Sequence, residues 1–310
     1  MYNFVNLHRF LLQLKSESYF LLLTNRFINM SNDITIKKGL DIKLKGAAEQ
    51  VTENAIISNF CTVRPEDFHG VTPKLIAKIG AKVKAGEPIF YNKAQEAVMF
   101  VSPVSGEIVD IPRGDKRRIL ALKIQADKEQ VFHDYGTFNV ETATPESIKA
   151  HLLASGCWPF IKQRPYDVIA NPEKSPKAIF ISGYASAPLV ADYDYVLQGK
   201  EAELQAAVSA LGKLTEGHVH VSVGKNSNSP LAGLKGVSLH KVSGPHPSGN
   251  VGTQINKIDP INKGETVWTI NPQDLVIIGE LLLTGKFNAE RLVALVGSSV
   301  KKPRYFKTKI

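Results

Sequence analysis

Apolar positions along residues 73–111 come in short bursts, each closed by glycine or proline. Gly80 and Gly86 bracket one brief run, and Ile89-Phe90-Tyr91 forms the next. Val98-Met99-Phe100-Val101 and Ile108-Val109-Asp110-Ile111 then flank the turn Ser102-Pro103-Val104-Ser105-Gly106. Proline fixes φ at one corner of that turn, and glycine supplies a positive φ at another. Strands this short, with turns this frequent, predict a small closed β-structure rather than an open sheet. A last strand of this module is expected over residues 118–124.

The period then changes. Thr144 can cap a helix whose first position suits Pro145, and Ile148, Leu152 and Leu153 give it an apolar stripe that ends at Gly156. Residues 178–181 are continuously apolar, as in a strand covered on both faces. Leu197, Leu204, Val208, Leu211 and Leu214 mark one face of a helix ending near Gly217, and strands follow over 218–223 and 237–242. This βαβ order predicts a parallel, right-handed, Rossmann-like sheet, in which ligands sit beyond the carboxyl ends of the strands. Those ends are residues 183–188, 224–229 and 243–249. A buried helix over 275–283, with Asp274 near its start, is closed by Gly285, and residues 291–297 and 304–309 read as a hairpin. A chain stopping on that second strand leaves an unpartnered edge, so a further C-terminal portion is expected.

The expected parts are an N-terminal extension (1–30), a barrel-sandwich module (31–132) and a Rossmann-like domain (133–257). A connecting strand and helix (258–287) leads to the opening of a further β domain (288–310). Within residues 1–29, Lys15, Glu17 and Arg26 break the apolar runs, which fall short of the ~20 residues needed to span a bilayer. Met30 is therefore the expected biological start, a membrane-surface helix being the alternative. No other segment is apolar enough to cross a membrane.

With 43% hydrophobic and 22% charged residues the chain reads as a globular protein of two or three domains. Its net charge of +9 is diffuse, with no basic stripe interleaved with aromatics, which argues against nucleic acid. Only Cys61 and Cys157 are present, so no disulfide framework and no zinc or iron–sulfur spacing exists, and reduced, partly buried thiols suit the cytoplasm. His218 and His220 alternate as one face of a strand, with no third metal ligand suggested nearby. Glycine-x-glycine-x-x-glycine is missing; Gly183-Tyr184-Ala185 lacks the second glycine.

One loop stands out. Five of the eleven residues 243–253 are glycine or proline, which forces an unusual path at the end of a predicted strand. Gly244, Pro245, His246, Pro247, Gly249, Gly252 and Thr253 are the candidate functional surface, with His246 as a donor to a carbonyl oxygen. The competing reading is a rigid connector.

The β-rich module resembles the biotinyl/lipoyl-type barrel sandwich through its Ser-Pro-Val-x-Gly turn. In a carrier domain a lysine at the tip of the preceding hairpin bears the prosthetic group. Here Gln95 stands at the matching spacing and Lys93 two residues further off, so an unmodified structural module is expected. The order of parts resembles the A-subunit family of the bacterial Na⁺-translocating NADH:quinone reductase. The likeness runs from Ile34-Thr35-Ile36-Lys37-Lys38-Gly39-Leu40-Asp41 and Gly46-Ala47-Ala48-Glu49-Gln50 to the block at 243–253, Trp268 and Gln273-Asp274. Val296-Gly297 and Lys302-Pro303-Arg304 look like the start of the β-grasp, soluble-ligand-binding domain that follows in that family.

The resemblance implies a mixed α/β, multi-domain subunit, peripheral on the cytoplasmic face of the bacterial inner membrane and held by the other subunits of the complex. The complex passes electrons from NADH to quinone while exporting Na⁺, with flavins and iron centres in other subunits. Related nucleotide-binding subunits of complex I and Rnf carry a glycine-rich loop for flavin and NADH phosphates. This chain reads Gly156-Cys157-Trp158-Pro159-Phe160-Ile161 there, so no cofactor is expected on this subunit. The alternative is a subunit that binds NADH or flavin itself.

Overall fold

The computed structural model describes residues 32–55 and 58–309, and the expectations for residues 1–30 lie outside them. The first strands, β1 (Asn32–Thr35) and β2 (Glu49–Asn54), stand apart from the module that follows. That module comprises β3 (Phe60–Val63), β4 (Pro73–Leu75), β5 (Lys82–Val83), β6 (Pro88–Asn92), β7 (Gln95–Val101), β8 (Gly106–Asp110) and β9 (Leu122–Ala126). They form two small antiparallel sheets, ordered β3-β9-β8-β5 and β4-β6-β7. Ile89, Phe90, Val98, Phe100, Ile108, Leu122 and Ile124 fill the space between, and the Phe90 and Phe100 rings stack 4.5 Å apart. This is the barrel sandwich that the punctuated pattern predicted.

Three local readings of that module change. Gly106 is required by close approach: a Cβ there would stand 2.0 Å from the carbonyl oxygen of Gln125 on β9. Strand β9 begins later than residue 118, because Lys116 and Arg117 turn the chain with positive φ. Asn92 pairs with Gln95, so Lys93 and Ala94 form the β6–β7 turn and Lys93 occupies the hairpin tip itself. Counting back from Ser102 misplaces it, since the register slips by three residues between Tyr91 and Asn92.

The second module opens with α1 (Pro145–Ala154), capped by Thr144 as the sequence suggested, with Ser147 returning the bond to complete a capping box. After a short 3₁₀ turn (Trp158–Phe160) come β10 (Lys162–Arg164), β11 (Val168–Ile169), β12 (Ile179–Ser182), α2 (Tyr193–Val196) and α3 (Glu201–Gly212). Then follow β13 (Val219–Gly224), β14 (Ser238–Ser243), α4 (Val251–Ile258), β15 (Val267–Ile270) and α5 (Pro272–Thr284). Leu197 does not share a helix with Leu204. Gly199, at φ 72°, separates α2 from α3, although Leu197, Leu204 and Leu211 are all fully buried.

One seven-stranded sheet runs β1-β14-β13-β12-β15-β10-β11, parallel from β1 through β15, with β10 antiparallel to both its neighbours. Two of its strands depart from the expected domain limits. By sequence β1 falls within the barrel sandwich and β15 within the connector, yet both pair into this sheet. Ile179, Ile181, Trp268 and Ile270 face a large core that includes Leu204 and Leu211 of α3 and Ile278 of α5. Ala178, Phe180 and Val267 face the other way, against Ile255 of α4. The connections from β12 to β13 and on to β14 step outward. The next one, through α4, returns past β13 and β12 to place β15 on the far side.

The chain ends with β16 (Glu290–Leu295) and β17 (Arg304–Lys309), an antiparallel hairpin. The open edge predicted for β17 is not there: β2 pairs with it in parallel, making the order β16-β17-β2. An edge that looks bare in the local sequence is covered by a segment some 250 residues away, because Arg304↔Glu49 and Phe306↔Glu53 are ladder partners.

Candidate functional site

In a doubly wound sheet the crevice opens where the strand order reverses, since the connections on either side leave in opposite directions. Here that point lies between β12 and β15. A cleft of about 750 Å³ occupies it, beyond the carboxyl ends of both strands. Ser182, Tyr184 and Ala185 line it from the end of β12, Thr269 to Asp274 from the end of β15, and Gly249 to Thr253 from the start of α4. Phe160, Lys162, Arg164 and Asp167 close it from the antiparallel edge.

The candidate loop divides at this cleft. Gly249, Gly252 and Thr253 line it; Gly244, Pro245, His246 and Pro247 do not. The first part is bound to its surroundings almost group by group. Gly244, at φ 119°, passes so close to β1's exit that a Cβ would meet Ile36 O at 2.1 Å. Its carbonyl accepts from Tyr184 Oη (3.3 Å) and Ser248 Oγ (2.7 Å). His246 donates its backbone N–H to Asp41 Oδ1 at 2.8 Å and accepts from Leu40 N at 3.0 Å. Its Nδ1 lies 3.1 Å from Ser186 Oγ, which itself accepts from Gly249 N at 2.8 Å. The His246–Pro247 peptide is cis.

The cleft wall is less satisfied. Helix α5 is capped, because Asn271 accepts from Gln273 N through its side chain and also donates to Tyr193 Oη at 2.9 Å. Helix α4 is not, since Asn250 makes no side-chain bond to it. Asp274 sits mostly buried and ion-paired with Arg291 (side-chain exposures 15% and 20%). Burial nonetheless holds its carboxyl above the usual range, against the pull of Arg291 and Lys162. Burial likewise pushes the Lys162 ammonium down, opposed by Asp274 and Asp167. Sequence reasoning missed Lys162, Arg164 and Thr269 entirely. Nothing local marks them, because they meet only when β10 pairs with β15 in the register Lys162↔Thr269.

The segment expected to replace a phosphate loop is packed away. Trp158 and Pro159 are buried, and Trp158 donates its indole N–H to Ala170 O at 2.8 Å while meeting Trp268 edge-on. The amides of Cys157, Phe160 and Ile161 donate to Leu152, Cys157 and Trp158 carbonyls. A third histidine, unmarked by any local pattern, joins the strand pair: His220 Nδ1 lies 3.0 Å from His240 Nε2. Among the described residues these groups do not converge as a metal-ligand set.

Two models of one family match the chain, the NqrA N-terminal barrel-sandwich hybrid domain over residues 34–127 and the NqrA second alpha/beta domain over residues 143–287. The chain belongs to the NqrA family. Proteins named as the A-subunit of Na(+)-translocating NADH-quinone reductase resemble it throughout. That of Marinomonas sp. is 34% identical over 277 residues, covering 89% of this chain and 62% of the relative. Those of Neisseria meningitidis serogroup A (277 residues) and Haemophilus influenzae (280 residues) are also 34% identical over 89% of this chain. The chain thus spans about 62% of the length of these NqrA relatives.

Proposed function

We propose that this chain works as a peripheral, cofactor-free subunit of a Na⁺-translocating NADH:quinone reductase, on the cytoplasmic face of the membrane. There it docks the other subunits and borders the quinone path. The observation that carries the cofactor-free part is the closed segment at Trp158–Phe160. Trp158 and Pro159 are core, the amides of Cys157, Phe160 and Ile161 are spent internally, and Pro159 has none, so a phosphate would find no nest there. Among the described residues no helix is long and apolar enough to cross a membrane, which supports attachment through partners.

The loop over residues 243–253 is the proposed docking or quinone-bordering surface. The His246 ring is its candidate donor to a carbonyl oxygen, through Nε2, which has no partner among the described residues. His246→Ala in the assembled complex tests this part: a lowered quinone reductase rate, weaker quinone affinity or loss of assembly is expected. Unchanged values leave a connector.

The second reading, a nucleotide-binding subunit, draws on the cleft's place at the switch point of the sheet. Calorimetric titration of the chain with NADH and with FMN decides between them. No saturable heat at micromolar ligand is expected, and saturation by either replaces the docking-subunit reading. Because Lys93 stands at the β6–β7 tip, intact-mass measurement of natively expressed chain decides whether it carries an added group.

A further inference from the structure

We propose that the cleft between β12 and β15 binds a small-molecule oxyanion, a carboxylate or phosphate group held by Lys162, Thr269 and the first turn of α4. The proposal goes beyond the docking role and does not need it.

Four features meet in the cleft. First, its charges are unevenly matched. Asp167 lies 3.3 Å from Arg164, and Asp274 is paired with Arg291, so each acid facing the cleft already has its own arginine. Lys162 has no carboxylate within ion-pair distance among the described residues; its ammonium rests 5.9 Å from the Phe68 ring. A half-buried lysine with no ion-pair partner, only partly offset by Asp274 and Asp167, is costly to keep charged, and an incoming anion relieves that cost.

Second, Thr269 is only 7% exposed and lines the cleft, and its hydroxyl has no hydrogen-bond partner among the described residues. It lies directly opposite Lys162 in the β10–β15 register, so hydroxyl and ammonium rise from adjacent positions on one face of the sheet. Third, α4 starts uncapped at Asn250. Thr253 N and Gln254 N return to Asn250 O, which leaves the Val251 and Gly252 amides at the mouth of the cleft without acceptors among the described residues. Amides of a helix start and its dipole both favour negative charge. Fourth, Phe160, Tyr184 and Tyr193 wall the cleft, giving the remainder of such a molecule an aromatic surface.

The wall is therefore short of one negative charge and of acceptors for a hydroxyl and two amides. A carboxylate or phosphate supplies both, since it is acceptor-only when ionised and can take several donors at once. A neutral ring would leave Lys162 unanswered.

The test is calorimetric titration of the full chain with inorganic phosphate and, separately, with succinate, at an ionic strength held constant with sodium chloride. Saturable heat with at least one of the two is expected, phosphate alone marking a phosphoryl ligand and succinate alone a carboxylate. Lys162→Met should weaken that binding about tenfold or more and Thr269→Val several-fold, as losses of a charge-assisted and a neutral contact. Circular dichroism checks that each variant is folded, and Thr269→Val carries the test if Lys162→Met is not. The idea fails if neither anion gives heat beyond chloride, or if folded variants bind as the parent does. FMN serves as a third probe. FMN binding displaced by phosphate supports the site and overturns only the cofactor-free reading; FMN binding indifferent to phosphate, with no phosphate heat, overturns the site.

Discussion

Residues 244–248 and residues 249–253 are consecutive and treated differently by the fold, the change falling after Gly249, which still packs against Ser186. In the first stretch, Gly244, His246 and Ser248 bond to Ile36's neighbourhood, Asp41, Leu40, Tyr184 and Ser186, and the backbone has no room for even a methyl group. In the second, Gly252 is exposed with nothing within 4 Å of a built Cβ, and the start of α4 is left bare toward the cleft. Composition is similar on both sides of Ser248, so glycine and proline content says where a loop is unusual and not why. Tight packing against residues 36–41 and 184–186 fixes the path of one half. Proximity to an unpaired lysine and an unbonded threonine makes the other half a wall of a site.

The largest effect that could break this contrast is expected from Gly244→Ala. Positive φ and a backbone carbonyl 2.1 Å from the new methyl should cost about 3 kcal/mol or more, read as a lower urea midpoint. A loss below about 1 kcal/mol would mean that the tied half is not tied.

The strands beneath this half carry their own sealed pair. Burial first, then the neighbouring His240 and His218, lower His220 from 6.5 to about 4. A depressed folded value contributes stability that is present above the unfolded value and lost as pH falls through the folded one. About 3 kcal/mol should therefore vanish between pH 6.5 and 4, measured by urea unfolding across that range. A His220→Gln variant should flatten that slope; an unchanged slope would assign the acid sensitivity to other groups.

His246→Ala removes the contact to Ser186 and should cost about 1 kcal/mol by the same measurement, the usual loss for one half-buried hydrogen bond. An effect near zero would make the ring available for function instead of structure. At the cleft, Lys162→Met should raise stability at neutral pH, since burial disfavours the charged form by more than Asp274 and Asp167 offset. A fall would show that Lys162 is structural. The smallest change is expected from Gly252→Ala, within about 0.5 kcal/mol of the parent and on the stabilising side, as helix propensity favours alanine where space is open.

Much of the architecture was legible. The barrel sandwich followed from glycine and proline spacing, α1 from Thr144-Pro145 and its stripe, and α5 from the apolar run closed by Gly285, which does take φ 72°. Of the candidate loop, Gly249, Gly252 and Thr253 line the cleft while Gly244, Pro245, His246 and Pro247 do not. The rest of the cleft was invisible for a physical reason. Lys162 and Arg164 belong to a three-residue strand with no pattern of its own, and Thr269 looks like any residue of a buried strand.

What the sequence determined by itself is local: which segments are extended, where helices are capped, and which residues must lie inside, because φ preferences and hydrophobic period act within a few residues. Only the tertiary structure decided which strand lies beside which. β1 joined the sheet edge at β14, β15 crossed back to sit beside β12, and β2 covered β17. A strand's pattern states which faces are buried but not which neighbour supplies its hydrogen bonds. The cleft exists because of that neighbour choice, where the connection from β14 to β15 carries the chain back across the sheet.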